Sequence, residues 1–231
     1  MKYKFLLFDA DGTLLDFKKS EAEAVREVFA AHGISGDDET VALYSEINDG
    51  LWKKLERREI EKSVLLYKRF ELFLETIGRC DVDAKLMASE YMQALSTKGY
   101  ILDGAKEMCE QLYGKTKMYI VTNGVEFIQK GRYARCGIDK YFDAVFISDA
   151  IGIEKPSVKY FEYVSSHIDG FEADKAIIIG DSLTSDMQGG INFGIDTCWY
   201  NPTGKSVPEN MPLTFVANSF DEVIDFILRE E

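Results

Sequence analysis

Histidine occurs only twice in this 231-residue chain, as His32 and His167, and the four cysteines, Cys80, Cys109, Cys136 and Cys198, form no CxxC pair. A zinc-type centre needs imidazole or thiolate ligands clustered at short spacing, so none is expected. Scattered cysteines are read as reduced, mostly buried thiols of a cytoplasmic protein. The histidines each precede the end of a helical pattern and are read as partners of the helix dipole. Long apolar runs are also missing, which excludes a transmembrane helix. At the N-terminus, Asp9 and Asp11 interrupt what would be the apolar region of a signal peptide. Positive charge is scarce, with 27 Lys and Arg against 40 Asp and Glu and a net charge of −13. Such a surface repels nucleic-acid polymer and anionic membrane, so neither is expected as a main partner. A small anionic substrate stays open, because a bound metal and a few basic side chains invert the field locally.

Short apolar runs are plentiful. They fall at Tyr3–Phe8, Met118–Val121, Ala144–Ile147, Ala176–Ile179 and Thr197–Tyr200, with a weaker one at Leu213–Val216. Continuous runs of this length suit strands buried on both faces. Helical patterns separate them. One covers Ala105–Tyr113, with Asp103 as the expected N-cap and Gly114 just past its end; another covers Val125–Cys136 and stops at Gly137. A third is expected from Pro156 to about His167, and a last one opens with the capping-box pattern Ser219–Glu222. Strands alternating with helices predict a parallel α/β sheet. Between Phe17 and Thr97 only helical periodicity is present. This predicts an all-α insertion over 17–98, tethered near Leu15–Lys18 and Thr97–Gly99, on a core made of 1–16 and 99–231. The mixed-sign run Lys53–Lys62 reads as a solvated helix face.

Ligands of open parallel sheets bind beyond the carboxyl ends of the strands. In this chain those ends carry Asp9-Ala-Asp11-Gly12-Thr13, then Thr122-Asn123-Gly124, then Ser148-Asp149 followed by Lys155-Pro156, then Gly180-Asp181-Ser182 with Asp186 five residues past Asp181. Each segment alone fits a turn or an N-cap. Recurring at successive strand ends, they describe a site. Asp9 and Asp181 offer hard oxygen ligands that suit Mg²⁺. Thr122 offers a hydroxyl and Lys155 a positive charge for phosphate oxygens, while the backbone beside Asn123 and Gly12 presents N–H groups to an anion. Two acids near one phosphate suggest a nucleophile and a proton donor.

This set, with its order and spacing, resembles the four signature motifs of the haloacid dehalogenase-like hydrolase superfamily, over essentially the whole chain. The insertion resembles that superfamily's helical cap of the first type, on a Rossmann-like core. The resemblance implies that Asp9 is the nucleophile and forms an aspartyl-phosphate, and that Asp11 is the general acid and base. It implies Mg²⁺ on the Asp9 carboxylate, the Asp11 main-chain carbonyl and Asp181, with Thr122, Asn123 and Lys155 at the phosphate. Asp186 is implied to orient Lys155 or a metal-bound water; Asp16 does not belong to the motif and is read as a cap-hinge residue. Carbon–halogen hydrolases of the superfamily need neither the metal nor the second acid, so Asp11 points to phosphoryl transfer.

Within the insertion, "INDGLWKKLERREI" and "LLYKRFELFL" resemble the branch that dephosphorylates pyrimidine nucleoside monophosphates, as do "TNGVEFIQKGR" and "GDSLTSDMQGGINFGI". The substrate implied is a nucleoside monophosphate, and the protein a monomer or small homo-oligomer. Trp52 could then stack on a base, Asn48 bond its edge and Arg69 meet phosphate or ribose. Each has a second reading: core packing for Trp52 and Phe70, a helix cap for Asn48, a surface ion pair for Arg69. Gln129 and Arg132, one turn apart on the helix after Thr122, have a place near the cap interface as one reading and a solvated face as the preferred one. Other functions stay open on these motifs: a broad phosphatase for sugar phosphates or phosphoglycolate, a phosphomutase, or a non-catalytic binding protein.

Overall fold

The computed structural model describes residues 2–229. Six strands, β1 (Phe5–Phe8), β2 (Lys117–Thr122), β3 (Ala144–Ile147), β4 (Ala176–Gly180), β5 (Asp196–Tyr200) and β6 (Phe215–Ala217), form one sheet in the order β3-β2-β1-β4-β5-β6. Every pairing is parallel. The first strand shows why its sequence is apolar throughout. Leu6 and Phe8 pack on one face with Met108 and Leu112 of α5 (Ala105–Leu112) and with Val223 and Ile227 of α10 (Phe220–Leu228). Phe5 and Leu7 pack on the other face with Tyr160, Phe161 and Val164 of α8 (Val158–Ser166). With helices on both faces, neither side of the strand meets water.

Four helices stand between β1 and α5: α1 (Phe17–Ala31), α2 (Asp38–Glu56), α3 (Lys62–Thr76) and α4 (Ala84–Ser96). They share an apolar cluster of their own, built from Val25 and Phe29, Tyr44, Phe70 and Phe73, and Met87 and Tyr91. The Phe29 and Phe73 rings stack at 4.6 Å and 4°. Phe73→Ala is expected to destabilise the protein by about 3–5 kcal/mol, from lost transfer energy and the cavity left behind, measured by denaturant unfolding. The helical cluster meets the sheet layer along α6 (Glu126–Cys136), whose Ile128 joins it while Tyr133 joins the sheet core.

The chain leaves and rejoins the sheet layer at one place. Asp16 N donates to Tyr100 O at 2.9 Å, and Leu102 N donates to Leu14 O at 3.0 Å, pairing the outgoing and returning chains. Asp16 also caps α1 by accepting from Lys19 N at 3.0 Å. At the returning chain, a Cβ on Gly99 would lie 2.5 Å from Arg132 O, and one on Gly131 would lie 2.6 Å from Ser96 O, so glycine lets α6 approach closely here.

Some local expectations need correction. Asp103 does not cap α5; Gly104 stands at that position at φ +86° with no side-chain cap. Helix α8 starts at Val158 after Ser157, two residues past Pro156. The last strand is displaced to Phe215–Ala217. At α10, Ser219 accepts from Glu222 N at 3.2 Å, but Glu222 returns to Asn218 N at 2.7 Å, one residue earlier than a capping box requires. Lys53–Lys62 is not wholly solvated. Glu56 accepts from the Thr184 hydroxyl at 2.6 Å, and buried Lys62 donates to Ser148 Oγ at 2.8 Å and pairs with Glu154 at 3.3 Å. All three partners lie in segments of the sheet layer that follow β3 or β4.

Candidate active site

Asp9 directly follows β1, Thr122 ends β2 and Asp181 directly follows β4, so the parallel register brings them to one edge of the sheet. Lys155 is carried there by the loop between α7 (Ser148–Ile151) and α8. Its buried ammonium donates to Asp9 Oδ1 at 2.7 Å, Asp186 Oδ1 at 2.6 Å and Val121 O at 2.7 Å, which uses all three of its hydrogens. Burial alone would lower the Lys155 pKa, but the Asp186 and Asp9 charges outweigh it and hold the group above the usual lysine range.

The acids are short of compensation. Asp9, Asp181 and Asp186 each offer a carboxylate oxygen within 4.8 Å of the others. Burial first, and the Asp186 charge second, push the Asp9 carboxyl above its normal range against the pull of Lys155. The same two causes push Asp181 to about 7. Only a shaped backbone admits the crowding. A Cβ on Gly12, at φ +88°, would stand 2.6 Å from Asp181 Oδ2, and one on Gly180 would stand 2.3 Å from Asp186 Oδ2. Trp199 Nε1 fixes the Asp181 main chain by donating to its carbonyl at 2.9 Å, and Ser182 N donates to Asp186 Oδ2 at 3.1 Å. Oxygen donors alone, with excess negative charge, fit a hard divalent cation such as Mg²⁺.

Thr122 Oγ1 accepts from Gly124 N and from Gln129 Nε2, each at 3.0 Å. The Asn123 side chain does not point its polar atoms into open space. It accepts from Lys155 N at 2.8 Å and donates to Lys155 O at 2.9 Å, clamping the backbone of the lysine.

Gln129 and Arg132 correct the sequence reading. Neither is solvated; both are buried on Asp11. Arg132 Nη1 donates to Asp11 Oδ1, and Gln129 Nε2 donates to Asp11 Oδ2 at 2.7 Å. The mid-helix Gly131 was the available sequence signal, since an interior glycine marks close approach of another backbone.

The three residues proposed for the insertion part company. Asn48 and Arg69 are buried and bonded to each other at 3.1 Å, and Asn48 also donates to Glu21 at 2.7 Å. Their polar groups are thus joined inside the helical layer, and neither the helix-cap nor the surface-pair reading describes them. Trp52 is half-buried beside Leu51, Leu55 and Leu65. It lies one helical turn before Glu56, which touches Thr184 in the segment after β4 that carries Asp181 and Asp186.

The profile of the haloacid dehalogenase-like hydrolases matches residues 3–194. The chain belongs to that family. Among curated relatives, this hydrolase is 37% identical over 226 residues to pyrimidine 5'-nucleotidase PynA of Streptococcus pneumoniae, covering 97% of this chain and 95% of that one. It is 30% identical to pyrimidine 5'-nucleotidase YjjG of Escherichia coli, covering 99% and 100%. Among solved structures, the putative hydrolase YfnB of Bacillus subtilis, bound to magnesium, superposes with a TM-score of 0.93 at 34% identity over 99% of this chain and 100% of that one. No helix among the described residues of this hydrolase is long and apolar enough to cross a membrane.

Proposed function

We propose that this hydrolase is a Mg²⁺-dependent phosphatase that removes the 5'-phosphate from pyrimidine nucleoside monophosphates, with residues 17–98 as a cap over a core of 1–16 and 99–231. The observation that carries the chemistry is the buried Asp9, with Lys155 on Oδ1 and two further acids within reach. The named activity of the PynA and YjjG relatives supports the substrate class.

Asp9 attacks phosphorus, forming an Asp9 O–P bond while the P–O bond to the nucleoside breaks. Asp11 gives its proton to the departing 5'-oxygen. In the second half, Asp11 takes a proton from water as that water attacks the aspartyl-phosphate, and Asp9 is released with inorganic phosphate. Lys155 balances charge on Asp9 and on the phosphoryl oxygens, held by the Asn123 clamp and by Asp186. Thr122 and the backbone N–H groups beside it take the remaining phosphoryl oxygens. The Asp9 and Asp181 carboxylates, with the Asp11 main-chain carbonyl, would hold Mg²⁺. The cation supplies electrostatic stabilisation of the transferring phosphoryl group.

In the cap, base recognition falls to Trp52, which shares the face of α2 that reaches the core through Glu56. The buried Glu21–Asn48–Arg69 chain of hydrogen bonds stiffens the helices behind it. Phosphate release from uridine, cytidine, adenosine and guanosine monophosphates and from sugar phosphates tests the reading. A kcat/KM at least about tenfold higher for the pyrimidine nucleotides is expected, the scale of one lost apolar contact. A preference for sugar phosphates would overturn it. Trp52→Ala is expected to impair hydrolysis of uridine monophosphate more than that of a small aryl phosphate, which has no base to hold; equal losses would return Trp52 to a packing role.

A further inference from the structure

The hydrogen bonds of Arg132 reach beyond Asp11. Its guanidinium is fully buried and cannot touch substrate, yet each of its nitrogens is engaged. Nη1 meets Asp11 Oδ1 and also Gln129 Oε1 at 3.2 Å, Nε donates to Lys98 O at 3.2 Å, and Nη2 reaches Ser20 Oγ at 3.4 Å. Lys98 lies on the chain returning from the cap, and Ser20 lies in the first turn after the outgoing chain. The Ser20 hydroxyl itself stands 2.7 Å from Asp16 O and 3.0 Å from Lys98 O, so it touches both chains of the hinge.

We propose that Arg132 is a positioning residue for the reaction, holding the Asp11 carboxylate in register with the cap hinge through Lys98 O and Ser20. This rests on the reading of Asp11 as acid and base. The geometry supports a positioning role over simple core filling. A planar guanidinium offers its donors in a fixed fork, so one side chain can hold the catalytic carboxylate and the hinge carbonyl at a set separation. Gln129 completes the grip on the second oxygen of Asp11 and ties it to Thr122. A Cβ on Gly124 would stand 2.5 Å from Gln129 Nε2, so the glycine of the β2 turn makes room for this grip. Any displacement of the returning chain at Lys98 is passed by one side chain to the group that handles the proton.

The test compares wild type, Asp11→Asn, Arg132→Gln, Arg132→Lys and the Asp11→Asn/Arg132→Gln double variant. Each is assayed on uridine monophosphate, a poor leaving group, and on an aryl phosphate, a good one. Arg132→Gln is expected to lower kcat on the nucleotide about 10²-fold, the scale of an ångström of misplacement. The loss on the aryl phosphate should be under about tenfold and KM should change little, because a good leaving group needs less help from a proton donor. Arg132→Lys should recover little of the nucleotide rate, because a single ammonium cannot hold Asp11 and Lys98 O together as the guanidinium fork does. Arg132→Gln placed on Asp11→Asn should cost almost nothing further, since its effect passes through Asp11. If Arg132→Gln does not fold, Arg132→Lys alone and on Asp11→Asn carries the same comparison.

Equal losses on both leaving groups, or losses that multiply in the double variant, would overturn the positioning role. If Asp11→Asn itself does not discriminate between leaving groups, the acid–base reading fails and the proposal fails with it. If Asp11→Asn discriminates and Arg132→Gln does not, the positioning role fails alone.

Discussion

Asp9→Asn is expected to end turnover, with kcat falling on the order of 10⁴-fold or more, as when a covalent nucleophile is removed elsewhere. The fold should survive. An amide oxygen can still accept from Lys155, and the strand before it, Phe5–Phe8, is held by packing on both faces rather than by the carboxylate. Loss of one carboxylate from a group of three also relieves repulsion at the strand ends. Thermal unfolding within a few degrees of wild type, with no phosphate release above background, is the combination that supports a nucleophile. Activity within tenfold of wild type would remove Asp9 from the reaction and leave its burial to be explained by structure alone.

Excess chelator is expected to silence the enzyme, and added Mg²⁺ to restore it. The site explains the size of the effect. Four carboxylates, Asp9, Asp11, Asp181 and Asp186, face two cationic side chains, Lys155 and Arg132. A dianionic phosphate entering that excess of negative charge would be repelled without a divalent cation. A second measurement does not depend on turnover. Mg²⁺ that binds only the folded protein stabilises it by about 2.7 kcal/mol at a hundredfold excess over Kd, read as a rise in Tm. Asp181→Asn should abolish that rise, because the side chain held against Gly12 is then no longer an anion. Full activity in chelator, or a Tm rise unchanged by Asp181→Asn, would remove the cation from this position.

The parts of this molecule legible in its sequence are those whose cause is local. Phe5-Leu6-Leu7-Phe8 is apolar without a break because the sheet is covered on both faces, and the run itself carries that information. Asp9 and Asp181 follow buried strands directly, so a parallel sheet brings them together wherever the helices lie. The four helices between β1 and α5 were legible because helical periodicity fills that stretch. What escaped was decided at a distance. Arg132 pairs with a residue 121 positions away, and Lys62 donates to one 86 positions away. On their own helices both look like ordinary surface cations, and only the close approach of another layer buries them. Asn48 and Arg69 are 21 positions apart and hydrogen-bond to each other, which no spacing rule anticipates. The start of α5 at Ala105 was legible, but its cap was missed for a smaller reason. A glycine at positive φ sets its first turn, so Asp103 is passed over.

The paired chains at Asp16–Tyr100 and Leu14–Leu102 make the four-helix segment behave as a guest with adjacent doorposts. For the six-stranded host, what matters is that the segment departs and comes back at neighbouring positions; its length and contents are almost invisible to the sheet. Closing a longer loop costs free energy only as the logarithm of its length, so exchanging this segment for a short turn alters the closure term by roughly 2–3 kcal/mol. A change in the length of the segment is therefore expected to leave the β1–β2 pairing, and with it the strand-end acids, in place.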